Sequence, residues 1–338
     1  MKYRKLANTD LEVSRVCMGC WQISTDRSDY WGSQQVQDSI QAIKACIEVG
    51  INFFDSAEDY DEGGSEQVLG KALGNARSDV VIATKANPAH LRPDSLRQAC
   101  EDSLRRLGTD WIDLYQVHFP NPDVPSDDVI AGMLKLQQAG KIRHFGVCNY
   151  GASYLRSLSS TSGLTSNQLP YSLLWRVIEN EILPLSLERS MDILAYSPLF
   201  QGLLTGKYGS VQDVPAGRRQ TRIFSSSQPQ AQHGEPGFEN LAFQTIGVIR
   251  QIAQSADVSM SDLAMAWVLA RPGVCSVIAG ARNVEQVQQN AASSEIELSD
   301  EVITQINEAT DPLKQAIGTN ADMWQHESRL ERPGVPTK

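Results

Sequence analysis

Four side chains that suit proton transfer stand at the ends of apolar segments early in this sequence. The stretch 51–60 starts apolar and contains Asp55 and Tyr60, and later apolar segments end in Lys85 and His118. An unperturbed phenol has a pKa of about 10, too high for an efficient acid at neutral pH. A neighbouring ammonium lowers that pKa, and a carboxylate keeps the ammonium charged and in place. Tyr60, Lys85 and Asp55 supply these groups.

The same group of residues indicates which reaction to expect. His118 would donate a hydrogen bond to a carbonyl oxygen and fix its orientation. Because no nucleophile with an adjacent base accompanies it, the set favours protonation of an oxyanion over acyl transfer. A carbonyl that gains a proton must also gain a hydride, which implies a nicotinamide cofactor.

Alternating strand and helix patterns predict the framework that positions these groups. Seven strand-plus-helix units precede a segment rich in Gly, Pro, Ser and Gln at 201–238, and an eighth unit follows it. The predicted strands are 16–21, 51–55, 80–85, 112–118, 142–148, 164–168, 192–196 and 274–279. This pattern predicts a parallel α/β fold, and eight units favour a closed (β/α)8 TIM barrel.

The competing arrangement is an open, doubly wound sheet. Its dinucleotide fingerprint Gly-x-Gly-x-x-Gly is absent after the first predicted strand, where Gly19 stands alone. We therefore expect residues 1–338 to form one barrel domain, with an N-terminal β-hairpin around residues 8–10. We also expect a long loop after the seventh barrel strand and a C-terminal tail, from about Asp311, over the barrel mouth.

Polar residues at the strand ends support a site at that mouth. The carboxyl ends of all barrel strands surround one opening, where active sites are built. Besides the first four residues, the predicted strands end in or near Asn149, Gln168, Tyr196 and Gly280. Each has an ordinary structural interpretation alone, but their convergence favours a catalytic site.

Composition and charge narrow the partners and the compartment. A net charge of −10 without a basic face argues against nucleic acid. The start lacks a signal peptide's apolar core, and no apolar run reaches the length of a membrane helix. Six cysteines in 338 residues fit a reducing compartment, so the cytoplasm is expected.

Short motifs spread over nearly the whole sequence match one enzyme family in its order. They contain residues 18–21, 53–60, 83–85, 116–118, 146–150, 196–199 and 280–282. In these motifs the sequence resembles the aldo-keto reductases, of the bacterial type related to potassium-channel β subunits. The resemblance implies a barrel that binds NADP(H) without a Rossmann domain and reduces aldehydes or ketones. It also implies a catalytic tetrad of Asp55, Tyr60, Lys85 and His118, with Tyr60 as the general acid.

The resemblance assigns further residues to the nicotinamide half of the cofactor. Asn149 and Gln168 match residues that bond the carboxamide, and Tyr196 matches the residue that stacks on the ring. Gly19, Trp21, Asp55 and Gly280 complete this implied set. One departure is Cys148, at a position that more often holds serine in the family, so one carboxamide bond is expected to be weaker.

The resemblance also assigns residues to the pyrophosphate and the adenosine. The pyrophosphate stretch would comprise Ser197, Leu199, Gly202, Leu204 and Lys207, covered by a loop containing Arg218. The adenosine end would comprise Arg282, Gln286, Gln289 and Asn290. An arginine at the start of a helix suits a 2′-phosphate, whereas Gln289 replaces an acidic residue that often contacts adenine.

Aromatic residues near the expected mouth are candidates for substrate contact. Barrel geometry places Trp21, Trp31, Phe119 and Trp324 there, around a small carbonyl or sugar-like substrate. A dehydrogenase of a sugar or polyol hydroxyl would use the same site. A nucleotide-sensing regulatory subunit with little turnover is a second alternative.

A metal-dependent barrel hydrolase is the third alternative. It would need clustered His and Asp ligands, such as His-x-His at the end of the first strand. That strand ends in Cys20 and Trp21, and the chain has five His. We therefore predict no metal site.

Overall fold

Eight parallel strands close into a barrel in the computed structural model, which describes residues 1–23, 31–32, 34–159 and 163–333. The barrel strands are β3 (Val16–Gly19), β4 (Phe53–Asp55), β5 (Val81–Ala86), β6 (Ile112–Val117), β7 (Ile142–Cys148), β8 (Leu164–Pro170), β9 (Asp192–Tyr196) and β10 (Val274–Gly280). They pair in chain order, and β10 closes the ring between β9 and β3. The predicted (β/α)8 barrel is confirmed, and that residues 1–338 form one domain stays a prediction.

An antiparallel hairpin covers the amino-terminal end of the barrel. Strands β1 (Tyr3–Lys5) and β2 (Glu12–Ser14) pair around a turn in which Asn8 has a positive φ of 58°. Leu6, Leu11 and Val13 are almost fully buried and pack with the residues that fill the barrel interior. Because this end is packed shut, a ligand has access from the opposite, carboxyl end.

Helices surround the barrel and connect successive strands. Their bounds are α1 (Val36–Glu48), α2 (Gly64–Leu73), α3 (Pro93–Leu107), α4 (Ser126–Gln138), α5 (Ala152–Ser157), α6 (Ile182–Glu188), α7 (Glu239–Ser255), α8 (Met260–Leu269), α9 (Val284–Ser293) and α10 (Asp300–Ile317). Asn283 and Ser299 cap α9 and α10 with side-chain oxygens. None of the described helices combines the length and apolar character needed to cross a membrane.

The C-terminal tail starts later than the sequence pattern predicts. Asp311 lies inside α10, which continues past Pro312 and ends at Ile317. Leu313 and Ile317 are buried, so apolar packing keeps this last part helical despite the missing proline N–H. The prediction of a tail from about residue 311 is therefore wrong by seven residues, about two helical turns.

Buried polar contacts hold the tail against the barrel and the long loop. The Arg222 guanidinium pairs with Glu235 at 2.7 Å and donates to the backbone oxygens of Asn320 and Asp322. Near the end of the described tail, the Glu331 carboxylate accepts two backbone N–H bonds from the first turn of α5. This arrangement, which we call the loop–tail clasp, spans residues 222–331 and holds the tail beside the mouth.

Helices α2 and α3 pack closely at Gly70, which lies in α2. A Cβ at Gly70 would lie 2.7 Å from the carbonyl carbon of Leu107 and closer still to its oxygen. Overpacking of this kind costs roughly 1–3 kcal/mol, so we expect Gly70→Ala to lower the melting temperature by several degrees. Gly247→Ala in α7 is the matched control, because a Cβ there meets nothing within 4 Å and alanine favours helix. Equal thermal unfolding of both variants in calorimetry would contradict this packing.

Candidate active site

A cavity of about 820 Å³ opens at the carboxyl ends of the barrel strands. All but two of the residues predicted for the site line it. Those that line it are Gly19, Trp21, Trp31, Asp55, Tyr60, His118, Phe119, Asn149, Gln168, Tyr196, Ser197, Leu199, Gly202, Lys207, Arg218, Gly280, Arg282, Gln286, Gln289, Asn290 and Trp324. The exceptions are Lys85 and Leu204.

Lys85 lies behind the cavity wall, fully buried in β5. Its Nζ donates to Asp55 Oδ1 at 2.5 Å and to the Ser56 carbonyl at 2.7 Å, and it lies 3.2 Å from the Tyr60 hydroxyl. Burial alone would lower the pKa of this amine, but the Asp55 carboxylate outweighs burial and the net shift is upward. Lys85 is therefore a fixed positive charge beside the phenol.

The Asp55 carboxylate is oriented by donors from two other strands. Its second oxygen, Oδ2, accepts from Gln168 Nε2 at 2.8 Å and from Gln116 Nε2 at 3.3 Å. Gln116 belongs to β6, which pairs with the strand of Lys85, β5. Gln168 belongs to β8, which lies across the barrel from Asp55. Gln116 is missing from the sequence prediction, although its position two residues before His118 in a strand gives it the same inward orientation.

The Tyr60 phenol does not have the lowered pKa that the sequence suggests. Burial raises the pKa of Tyr60 to about 12, while the charge of Lys85 and its hydrogen bond act in the opposite direction. Lys85 thus lowers the pKa of Tyr60, as predicted, but the loss of water contact on burial raises that pKa by more. Tyr60 therefore stays protonated at neutral pH, which keeps a proton available for donation.

His118 follows β6 directly and faces Tyr60 across the mouth. The two rings meet edge to face with centroids 5.6 Å apart. His118 Nδ1 lies 3.0 Å from Asp59 Oδ2, and Asn149 Nδ2 donates to the His118 carbonyl at 3.0 Å. Asp59 also lines the cavity and is a second residue missing from the sequence prediction, although it is adjacent to Tyr60 in the chain.

The amide and phenol groups beyond the tetrad form a connected wall. The Tyr196 hydroxyl donates to Asn149 Oδ1 at 3.0 Å, and the Asn149 N–H donates to the Gln168 carbonyl. Asn149 has a positive φ of 60°, a conformation that asparagine adopts more readily than most residues. These contacts hold Asn149, Gln168 and Tyr196 together in the cavity wall, and their contacts with a nicotinamide stay a prediction.

A tight loop after β9 forms part of the cavity wall. Ser197, Phe200, Gln201 and Gly202 all have positive φ values, so the backbone turns sharply here. A Cβ at Gly202 would lie 3.1 Å from Lys207 Nζ, so the absence of a side chain leaves room for the ammonium. This loop places the Lys207 charge beside the cavity.

Leu204, which the resemblance assigns to the pyrophosphate stretch, does not line the cavity with its side chain, and its contact with the cofactor stays a prediction. Leu204 is fully buried in the hydrophobic core and does not line the cavity. Its backbone N–H instead bonds the Leu199 carbonyl at 3.2 Å. The sequence motif places Leu204 near the loop, but the apolar side chain packs inward.

Another part of the cavity wall surrounds Arg282, which lies just before α9. Arg282 Nε donates to Gln34 Oε1 at 3.1 Å, and its backbone N–H donates to Gln286 Oε1 at 2.8 Å. Gln289 donates to Ser261 Oγ, and Asn290 donates to the Gly280 carbonyl. A cation and several amides therefore converge here, and Gln34 is a further residue that the sequence does not predict.

Aromatic side chains cluster over the Tyr60 end of the cavity. Trp21 stacks near Tyr60 with centroids 6.2 Å apart, and Trp31 and Trp324 meet Trp21 edge to face at 5.4 and 6.3 Å. Phe119 lies under the Arg329 guanidinium at 4.4 Å. The four predicted aromatics thus surround one space, and their contact with substrate stays a prediction.

Within the described ranges, no group of three or more His, Cys, Asp and Glu side chains is arranged to hold a metal ion. The six cysteines are free thiols, and all are buried. Burial raises the pKa of Cys148, next to the tetrad, well above its usual value. The Cys148 thiol therefore stays protonated at neutral pH.

The Asp55–Lys85 pair should be strongly coupled in stability. Both side chains are buried, so Asp55→Asn leaves an ammonium without its counter-charge and should lower the free energy of unfolding by about 3–5 kcal/mol. Adding Lys85→Met removes that stranded charge, so the double variant should recover much of the loss. Urea unfolding of the two single variants and the double variant measures this coupling. Additive losses would contradict it.

Comparisons with known proteins agree with this geometry. The model of the Aldo/keto reductase family matches residues 15–311. The NADH-specific methylglyoxal reductase of Escherichia coli is 32% identical over 93% of this chain and 100% of its own length. The aldo-keto reductase YhdN of Bacillus subtilis is 32% identical over 85% of this chain and 87% of its own. A Klebsiella pneumoniae aldo-keto reductase, solved with NADPH, superposes with a TM-score of 0.71 at 28% identity, covering 91% and 95% of the two chains. The chain belongs to the aldo/keto reductase family and is an oxidoreductase.

Proposed function

We propose that this protein reduces small aldehydes or ketones to alcohols with NADP(H), and that Tyr60 supplies the proton. The observation that carries the proposal is the contact of the Tyr60 hydroxyl with the buried Lys85–Asp55 pair at the cavity mouth. This arrangement holds a protonated phenol next to a permanent positive charge. It suits an oxyanion that takes up a proton and leaves a phenolate behind.

The cavity residues fit an extended dinucleotide. Amide groups and the Tyr196 ring border the end near Tyr60, where a nicotinamide would have its carboxamide partners. The cations Lys207, Arg218 and Arg282 also line the cavity. A pyrophosphate would lie beside Lys207 and Arg218, and the adenosine end of the cofactor would lie beside Arg282. Gly202 has no side chain, which leaves space between the backbone and Lys207 that a larger residue would fill.

The bound nicotinamide would supply the hydride for the reaction. The residues of this chain would supply orientation and the proton. His118 and Tyr60 border the position of the carbonyl oxygen, and Tyr60 passes its hydroxyl proton to that oxygen as negative charge develops. A phenol with a pKa of about 12 is still a stronger acid than water, so an alkoxide takes its proton readily. Lys85 then stabilises the phenolate.

The substrate we propose is a small carbonyl compound. Trp21, Trp31 and Trp324 narrow the mouth, which favours a compact substrate that contacts aromatic faces. The Escherichia coli relative is named as a reductase of methylglyoxal, a small ketoaldehyde, which supports the same class. A panel of small aldehydes and ketones with NADPH and with NADH tests this proposal directly.

Replacing the proposed acid should separate chemistry from binding. We expect Tyr60→Phe to reduce kcat for carbonyl reduction by roughly 10²–10⁴-fold, because general acid catalysis contributes about that much. NADPH binding, followed by fluorescence titration, should change little. Tyr3→Phe is the control, since the Tyr3 hydroxyl bonds the Gly50 carbonyl far from the mouth. A Tyr60→Phe enzyme that keeps most of its turnover would exclude Tyr60 as the acid.

Replacing Arg282 should distinguish the two nicotinamide cofactors. If its guanidinium binds a 2′-phosphate, Arg282→Gln should weaken NADPH binding by roughly 10–100-fold, the effect of one charge-assisted hydrogen bond. NADH lacks that phosphate, so its dissociation constant should stay within about twofold. Arg97→Gln is the control, because Arg97 lies exposed on α3 and pairs with Glu101. An equal loss for both cofactors would exclude 2′-phosphate recognition by Arg282.

A further inference from the structure

Asp59 and His118 form a hydrogen-bonded pair at the mouth of the cavity, next to the Tyr60 ring. His118 Nδ1 lies 3.0 Å from Asp59 Oδ2, and the other carboxylate oxygen, Oδ1, accepts from Asn87 Nδ2 at 2.6 Å. The Asp59 side chain is one-third exposed (33%), whereas that of His118 is 15% exposed. Asp59 Oδ1 therefore has Asn87 as its donor and Oδ2 lies against the His118 ring nitrogen, which together fix the direction of the carboxylate.

The ionised carboxylate determines which nitrogen of His118 carries a hydrogen. Burial opposes the charge of Asp59, but the hydrogen bonds from His118 and Asn87 outweigh it, and the pKa of Asp59 is lowered. An ionised carboxylate only accepts hydrogen bonds, so Nδ1 must be the donor. A neutral imidazole has a single N–H, so Nε2 then carries a lone pair. This nitrogen is at the other end of the ring from Asp59.

We propose that Asp59 is a positioning residue that holds His118 in the Nδ1–H form and so makes the favoured substrate depend on the protonation of His118. Neutral His118 accepts a hydrogen bond at Nε2, which suits the hydroxyl of an alcohol. Protonated His118 donates from Nε2, which suits the oxygen of a carbonyl. The proposal deepens the proposed function and rests on it for the identity of the ligand.

The charges around His118 determine when each form is present. Burial lowers the pKa of His118 below its usual value, and the bond to Asp59 opposes that shift. The ammonium of Lys85 lowers the pKa further, and the Asp55 carboxylate raises it. Tyr60 is uncharged at neutral pH, and on the tail Arg329, which lies over Phe119, is paired with Asp322.

The sign of the pH dependence follows from this lowered pKa. Imidazolium accumulates only as the pH falls below the lowered value, so carbonyl binding strengthens towards acid pH. Neutral His118 predominates at neutral and alkaline pH, where alcohol binding is favoured. The general assignment of His118 as a carbonyl donor therefore holds only for its protonated form.

The variant Asp59→Asn tests the tautomer directly. The side-chain amide at position 59 has only one oxygen, and this oxygen must accept the hydrogen bond that Asn87 Nδ2 donates. The NH₂ group at position 59 therefore faces His118 Nδ1. His118 Nδ1 then becomes an acceptor, and its hydrogen moves to Nε2. Two-dimensional ¹H–¹⁵N NMR of the histidine rings in the full-length protein reports which nitrogen is protonated. The His118 signals are identified by their absence in His118→Gln.

We expect the wild-type protein to show His118 protonated at Nδ1 at pH 7.5, and Asp59→Asn to show it protonated at Nε2. Asp110→Asn removes one carboxylate at an exposed position and should leave the His118 signals unchanged. Wild-type His118 protonated at Nε2 at this pH would overturn the proposal, and this measurement is independent of whether the variant folds. An unchanged tautomer in a folded Asp59→Asn protein would overturn it as well.

Steady-state kinetics link the tautomer to the substrate. From pH 8 to pH 5.5 the wild-type KM for a small aldehyde should fall by roughly 2–10-fold, the effect of one hydrogen bond. In Asp59→Asn the KM should be nearly independent of pH, because Nε2 already carries a hydrogen. A tautomer shift without this change would overturn the link to substrate choice. If no carbonyl or alcohol is turned over while the NMR shift is present, the proposed function fails and the positioning role of Asp59 stands.

Discussion

The buried ammonium of Lys85 is the constraint on which the rest of the site depends. Removing an ammonium from water costs several kcal/mol, and the cost is offset only if counter-charge and hydrogen bonds surround it. Asp55, the last residue of β4, and the carbonyl of Ser56, which follows it, supply them, and Gln116 and Gln168 then orient Asp55 from β6 and β8. One buried charge therefore requires four barrel strands to keep their register.

This constraint also explains the behaviour of Tyr60. The same desolvation that makes Lys85 depend on Asp55 raises the pKa of the neighbouring phenol to about 12. The site holds a phenol that remains protonated at neutral pH, with its conjugate base stabilised in advance by a fixed cation. The Tyr60–Lys85 pair thus favours transfer of the phenol proton to a strong base, such as an alkoxide, over ionisation of Tyr60 in the resting protein. The His118–Asp59 pair, which is more exposed, is the part of the site that responds to pH.

How far the sequence predicts the structure depends on how regular each segment is. Strands β7 and β9 have their predicted bounds, because each is an apolar run between clear turns. The parallel barrel strands then bring their carboxyl ends together at one mouth. The tetrad residues consequently meet as predicted. The inward packing of the Leu204 side chain could not be predicted, because periodicity does not give side-chain direction in an irregular loop. The pairing of Gln34 with Arg282 joins residues 248 apart, a distance that no local pattern spans.

The irregular half of the site depends on the loop–tail clasp in the same way that the tetrad depends on Lys85. Ser197, Phe200 and Gln201 adopt positive φ values, which cost non-glycine residues of order 1–3 kcal/mol each in sparsely populated regions. Such a conformation persists only where its surroundings determine it. Phe200 is fully buried, and the Arg222 contacts with Glu235 and the tail hold the loop from its other end. Because Trp324 belongs to that tail, the cofactor loop and the substrate mouth share one set of buried contacts. A change in the tail should therefore affect both.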